Sequence, residues 1–299
     1  MKRSIHAFLF AIVLGIAGPG VQAKDSAAGA DDGVKVDKMS SVRKLVSEEQ
    51  VEAAALQQYL GIKRDAGQQK ALAPEGHPQL QRLRAIANKI IPHALRWNER
   101  AAQWQWEVNL IGSKEINAFC MPGGKIAFYT GILDSLKLTD DEVAIVMGHE
   151  IAHALREHGR ERLAKSTLTN AGAKLAGIGA SLLFGVDPHL TDGVAGFGAK
   201  LMVLKFSRGD ETEADLVGLD IAARAGYDPR AGIALWQKMG MVSKNTSLQW
   251  LSTHPAGDAR IAEMQKHMPS VMPLFVKARG TQTPPPPYMS NVKGIAPIP

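Results

Sequence analysis

His149, Glu150 and His153 stand together in the stretch HEIAH. Histidines four residues apart on a helix lie about 40° from each other in projection, on consecutive turns. Two such rings can grip one metal ion. Neutral imidazole suits Zn²⁺, which lowers the pKa of a bound water and polarises a carbonyl, while a nearby carboxylate takes the proton as the water attacks. Glu150, about 100° round from His149, is placed to be that carboxylate. The alternative is a surface helix that carries two histidines by chance.

The element that must hold these residues is read as one long amphipathic helix over Asp140–Arg162. Thr139 and Glu142 form a capping box at its start, and Val143, Met147 and Ile151 form its apolar stripe. A catalytic zinc needs a third protein ligand and an open position. A third histidine six residues beyond His153 is excluded, because Gly159 stands there, with Arg156 in place of the glycine that accompanies such a ligand. His158, five residues on, falls roughly 140° round the helix and reads as a solvated surface residue. The other source is a carboxylate from a later helix. Glu211, Glu213 and Asp215 lie in ETEAD, with Glu211 and Asp215 on one face at i, i+4, which suits one metal ligand and one acceptor for a ligating histidine's N–H. An acidic first turn favoured by the helix dipole explains the same letters, so spacing leaves Glu211 open.

A change of period precedes the helix. Trp104, Trp106, Val108 and Leu110 alternate with polar residues and predict a half-buried strand. Asn117–Met121 and Lys125–Thr130 flank Pro122-Gly123-Gly124 as a hairpin. A small antiparallel sheet beside the metal helix would make a cleft where an extended peptide adds along a strand edge, at Asn117 and Ala118. Earlier still, Ser47 and Gln50 cap a helix to about Leu60, and Pro78 opens one with Leu80, Leu83, Ile86 and Ile90 on one side.

The chain has 299 residues and a net charge of +6, too dispersed to argue for nucleic acid. Lys2 and Arg3, the apolar run Ala7–Ala17 and the small residues Val21 and Ala23 predict a cleaved signal peptide over 1–23. No cysteine stands directly after that cut, where Lys24 follows Ala23, which argues against a lipoprotein. Residues 24–40 read as a flexible leader, 41–105 as scaffold helices within a domain ending at 268, and 269–299 as a Pro-rich disordered tail. The Gly-rich stretch 171–199 is expected to be a packed helical hairpin, a mobile lid or a membrane-touching segment. Cys120 excludes an intrachain disulfide, being the single cysteine; it reads as a small buried hydrophobe or as a thiolate cap for the metal.

HEIAH, the upstream NAFCMPGGKIAFYTGIL, the downstream SRGDETEAD and the late THPAGDARI, in that order, resemble the M48 family of zinc metallopeptidases over roughly Asn109 to Met268. Within that family the sequence resembles the exported, soluble, outer-membrane quality-control type. The resemblance implies a mainly helical α+β, zincin-like fold with one Zn²⁺ held by His149, His153 and Glu211. It further implies Glu150 as general base, Asp215 behind the ligands, and His254 as a residue that gates the zinc or steadies the oxyanion. Periplasmic location, misfolded or stalled envelope proteins as substrates, and outer-membrane assembly machinery as partner follow from the same source. Neither the family's multiple membrane-spanning helices nor a helical-repeat domain is visible. A competing expectation is a non-catalytic chaperone or assembly factor with a structural zinc, for which Glu150 would have no use.

Overall fold

The computed structural model describes residues 32–168, 205–243, 249–254, 258–281 and 285–299. The expected signal peptide, residues 24–31 of the leader, and the whole 171–199 stretch lie outside the described residues. Gly33–Pro299 form one unit, mainly helical, with a three-stranded sheet.

Its first helices are α1 (Glu48–Gln68), α2 (Pro78–Ile90) and α3 (Thr130–Ser135); at the centre is α4 (Asp140–Leu155). Both halves of the α4 capping box form: Glu142 N–H donates to Thr139 Oγ1 at 3.3 Å, and Thr139 N–H donates to Glu142 Oε2 at 2.8 Å. Fourteen consecutive residues, Glu142 to Leu155, are buried, so α4 is covered on every side rather than amphipathic. It is also shorter than the sequence suggests. Arg156 caps it and Glu157 takes a left-handed φ of 57° before a new helical stretch over 158–168. That backbone state costs about 1–2 kcal/mol for a residue with a Cβ. Ion pairs from Arg43 and Arg160, each 2.7 Å from Glu157 Oε2, hold the side chain that adopts it.

The sheet comprises β1 (Glu107–Ile111), β2 (Ala118–Met121) and β3 (Lys125–Tyr129) in the order β1-β3-β2. The hairpin half is antiparallel as expected, but β1 runs parallel to β3 and the sheet is mixed. β3, buried over four of its five residues, takes the centre, antiparallel to β2 and parallel to β1. Gly124 N–H closes the hairpin turn on Met121 O at 3.1 Å, with Pro122 and Gly123 between and Gly123 at φ 85°. Trp104 and Trp106 precede β1 instead of opening it. Their indoles donate to Glu52 Oε1 (3.0 Å) and Ala101 O (3.1 Å), ties that end the strand pattern early.

After the Gly-rich stretch come α5 (Arg208–Arg224), α6 (Ala231–Ser243), α7 (Gln249–Thr253) and α8 (Asp258–Arg279). α5 crosses α4 where Gly148 meets Gly218, backbone against backbone; a Cβ at 218 would lie 2.7 Å from His149 N. Helices touch this closely only where both lack a side chain. The disordered tail expected from Pro269 is corrected: α8 continues through Pro269 and Pro273 to Arg279 because Val271, Leu274 and Phe275 are buried. Farther on, Tyr288 pairs with Ile298, both buried, and Tyr288 Oη meets Thr139 Oγ1 at 3.0 Å. The leader is corrected too. Val34 is buried in the core and its N–H donates to Asp220 Oδ2 at 3.2 Å.

Candidate metal centre

The tight crossing of α4 and α5 sets the site. His149 and His153 project from the last turns of α4, and Glu211 and Asp215 from the first turns of α5. His254 follows α7, and Arg260 comes from the start of α8. One donor atom from each of His149, His153, Glu211 and His254 lies within 4.8 Å of all the others. All four residues are buried. His149 Nε2 is 3.1 Å from His153 Nε2, and the Glu211 carboxylate stands 3.6 and 3.5 Å from these two nitrogens. His254 Nδ1 lies 3.2 Å from His149 Nε2 and 3.1 Å from Glu211 Oε1.

His149 Nδ1 faces Asp215 Oδ1 at 3.0 Å, and His153 Nδ1 faces His158 Nδ1 at 2.9 Å. If both Nδ1 atoms carry the protons, the two Nε2 lone pairs converge on the Glu211 carboxylate with no hydrogen of their own to offer it. A divalent cation satisfies that arrangement, and imidazole nitrogen with carboxylate oxygen is a Zn²⁺ donor set. Burial, then the neighbouring His149, His158, His254 and Arg260, hold the His153 imidazole well below its ordinary pKa, in the neutral form that metal binding requires.

Arg260 ties the carboxylates together. Its Nε and Nη2 are each 2.6 Å from Asp215, its Nη1 is 2.7 Å from Glu211 Oε2, and its guanidinium lies 3.8 Å over the Trp236 ring. Burial alone would raise the Asp215 carboxyl; the Arg260 charge and the bonds with His149 and Arg260 reverse this and leave it lowered. Burial likewise lowers His254, but Glu150 and Glu211 outweigh it and raise the ring.

Glu150 faces a cleft beside this cluster. Trp250 Nε1 donates to its Oε1 at 2.6 Å, and His254 Nε2 lies 3.7 Å from the same oxygen. The cleft is lined on one wall by Asn117–Pro122, including Ala118, and on the other by His153, Phe206 and His254. Among the described residues β2 is an outer strand, paired with β3. Cys120, partly buried on β2, lies outside the four-residue group, and burial followed by Glu150 pushes its thiol well above the ordinary value.

The structure thus brings His149, His153, Glu211, Asp215, Glu150 and His254 together. His158 does not stay at the surface. Because the helix breaks at Glu157, His158 turns inward, buried against His153. Arg260, Trp250 and Phe206, which stacks on His153 at 4.0 Å, were not singled out from sequence. The signals available were slight: Trp250 sits four residues before His254, and Arg260 six after it.

A model of Peptidase family M48 matches residues 75–268. The chain belongs to this family. It is 40% identical over 155 residues to the mitochondrial metalloendopeptidase OMA1 of Arabidopsis thaliana, covering 52% of this chain and 30% of that protein. The Saccharomyces cerevisiae protein of the same name is 30% identical, over 69% of this chain and 61% of its own length. The beta-barrel assembly-enhancing protease of Yersinia pestis is 27% identical, over 71% and 46%. This chain therefore spans less than two thirds of these relatives. No helix among the described residues is long and apolar enough to cross a membrane.

Proposed function

We propose that the chain is an exported zinc metalloendopeptidase, with one ion held by His149, His153 and Glu211. The observation that carries this reading is that the four converging donors open onto a cleft bordered by both Glu150 and an outer strand. A purely structural metal needs neither a free carboxylate beside it nor a trough along a strand edge. The family membership and the relatives' names as metalloendopeptidases support the same class.

A bound Zn²⁺ supplies Lewis acidity, polarising a carbonyl and making water more acidic. The chain's own residues do the rest. An extended peptide pairs with the edge of β2 near Asn117 and Ala118, so main-chain hydrogen bonds seat it across the cleft floor. Trp250 holds Glu150 Oε1 and so fixes the carboxylate, whose other oxygen accepts the proton of the attacking water and returns it to the leaving amine. His254, favoured in its charged form by Glu150 and Glu211, occupies the cluster at rest and donates to the oxyanion when peptide enters.

The substrate class is extended, unfolded polypeptide, because only a chain without its own strand partners can add to β2. The signal-like N-terminus, and the likeness to a Yersinia protein named for enhancing beta-barrel assembly, support misfolded or stalled envelope proteins of the periplasm as those substrates, and outer-membrane assembly machinery as the neighbourhood. Hydrolysis of an unstructured protein by wild type and Glu150→Gln tests the reading. The variant should keep its zinc and lose about 10²–10⁴ in rate; equal cleavage by both proteins would remove Glu150 from the mechanism.

A further inference from the structure

His158 and Glu213 have no part in the reading above, yet each is drawn in behind a ligand histidine. His158 is 3% exposed, and its Nδ1 lies 2.9 Å from Nδ1 of His153. Its Nε2 points toward Glu213 Oε2, 3.7 Å away, and Arg156 Nε pairs with the other Glu213 oxygen. On the far side of the cluster His149 has a matching arrangement, with Asp215 on Nδ1 and Arg260 on Asp215. His149 is therefore backed directly by a carboxylate that an arginine holds, and His153 by His158, behind which stands a second such carboxylate.

We propose that His158 is a positioning residue that fixes the tautomer and ring orientation of His153 for metal binding, with Glu213 and Arg156 orienting His158 in turn. This rests on the zinc reading of the site. For His153 to offer Nε2 to a metal, its proton must sit on Nδ1. Nδ1 of His158 is then the acceptor, which places the His158 proton on Nε2, facing Glu213. The 3.7 Å gap is one that a bridging water or a small ring rotation closes. Phe206, stacked on His153 with an interplanar angle of 26°, fixes the plane in which that bond must form. The break at Glu157 is the device that makes this geometry. A continuous helix would carry His158 about 140° away from His153, whereas the left-handed residue restarts the chain and aims the ring inward.

The test uses the full protein and compares His158→Phe, which keeps most of the volume but accepts no hydrogen bond, with His158→Gln, whose amide oxygen accepts one. Zinc affinity is measured by competition with a chromogenic chelator, and the His153 tautomer by ¹⁵N NMR of metal-free protein. His158→Phe should weaken zinc binding about 10- to 100-fold, and His158→Gln should recover most of it. Wild-type affinity in His158→Phe overturns the proposal, as does a metal-free wild type in which His153 carries its proton on Nε2. The NMR result decides the matter even if His158→Phe fails to fold. A wild type that binds no zinc would instead sink the underlying metal reading, and the two failures are distinct.

Discussion

The crossing of α4 and α5 can be tested by one methyl group. In Gly218→Ala the new Cβ would lie 2.7 Å from His149 N, 2.9 Å from Gly148 C and 3.0 Å from His149 Cα, against 3.4–4 Å for ordinary contact. The shortfall is about 0.7 Å, and every atom it meets is helix backbone, which cannot rotate away. The helices must separate by roughly that amount. Overpacking of this kind costs about 1–3 kcal/mol, while Ala in place of Gly in a helix returns about 1 kcal/mol. Because the obstruction is backbone, the cost belongs at the upper end and the net loss is about 1–2 kcal/mol. For a chain of this size that lowers Tm by about 2–8 °C.

The functional effect is larger than the structural one. α5 carries Glu211 and Asp215, so a rigid shift of 0.7 Å stretches the 3.0 Å contact between His149 Nδ1 and Asp215 beyond hydrogen-bonding range. Misplacement on the 1 Å scale costs up to about 10²-fold in rate. Gly61→Ala in α1, where nothing lies within 4 Å of the new methyl, is the control and should be neutral or stabilising by up to about 1 kcal/mol. Thermal unfolding by circular dichroism and hydrolysis of an unstructured protein read the two effects. A Gly218→Ala protein as stable and as active as wild type would show that the contact does not set the site.

Glu211→Ala should lose most of the bound zinc, measured by metal analysis after dialysis; normal affinity would disqualify it as a ligand. Arg260→Ala leaves two buried carboxylates without their shared cation and should cost about 3–5 kcal/mol in unfolding free energy; Arg260→Lys, unable to bridge both, should recover only part. The raised Cys120 thiol should resist alkylation at neutral pH in the native protein and react fast only after unfolding. Rapid native labelling would restore the thiolate-cap idea that its burial and Glu150 argue against.

The legible parts of this molecule are those in which chemistry and local spacing coincide. Thr139 with Glu142, and His149 with Glu150 and His153, each lie within one or two helical turns, so letters alone define their relation. Glu211 is different. Its own surroundings fit a dipole-favoured first turn equally well, and only the fold brings it to within 3.6 Å of His149 Nε2. Pro269 and Pro273 read as helix breakers because the apolar residues that outweigh them find their partners far away in the chain.

His158 exposes the limit most clearly. Its predicted place on the surface followed from extending one helix past Leu155, and nothing local forbids that extension. What forbids it is Glu157, held by Arg43 from more than a hundred residues upstream as well as by Arg160 beside it. A distant ion pair thus converts a helical residue into a left-handed one, and the next residue changes from solvated to buried against a ligand. Arg43→Ala should therefore act at the metal site although it touches no ligand: with Glu157 released, the helix straightens, His158 swings out, and zinc affinity falls toward that of His158→Phe. Unaltered affinity in Arg43→Ala, with His158→Phe impaired, would mean that Arg160 and the packing of the following helix hold the bend without it.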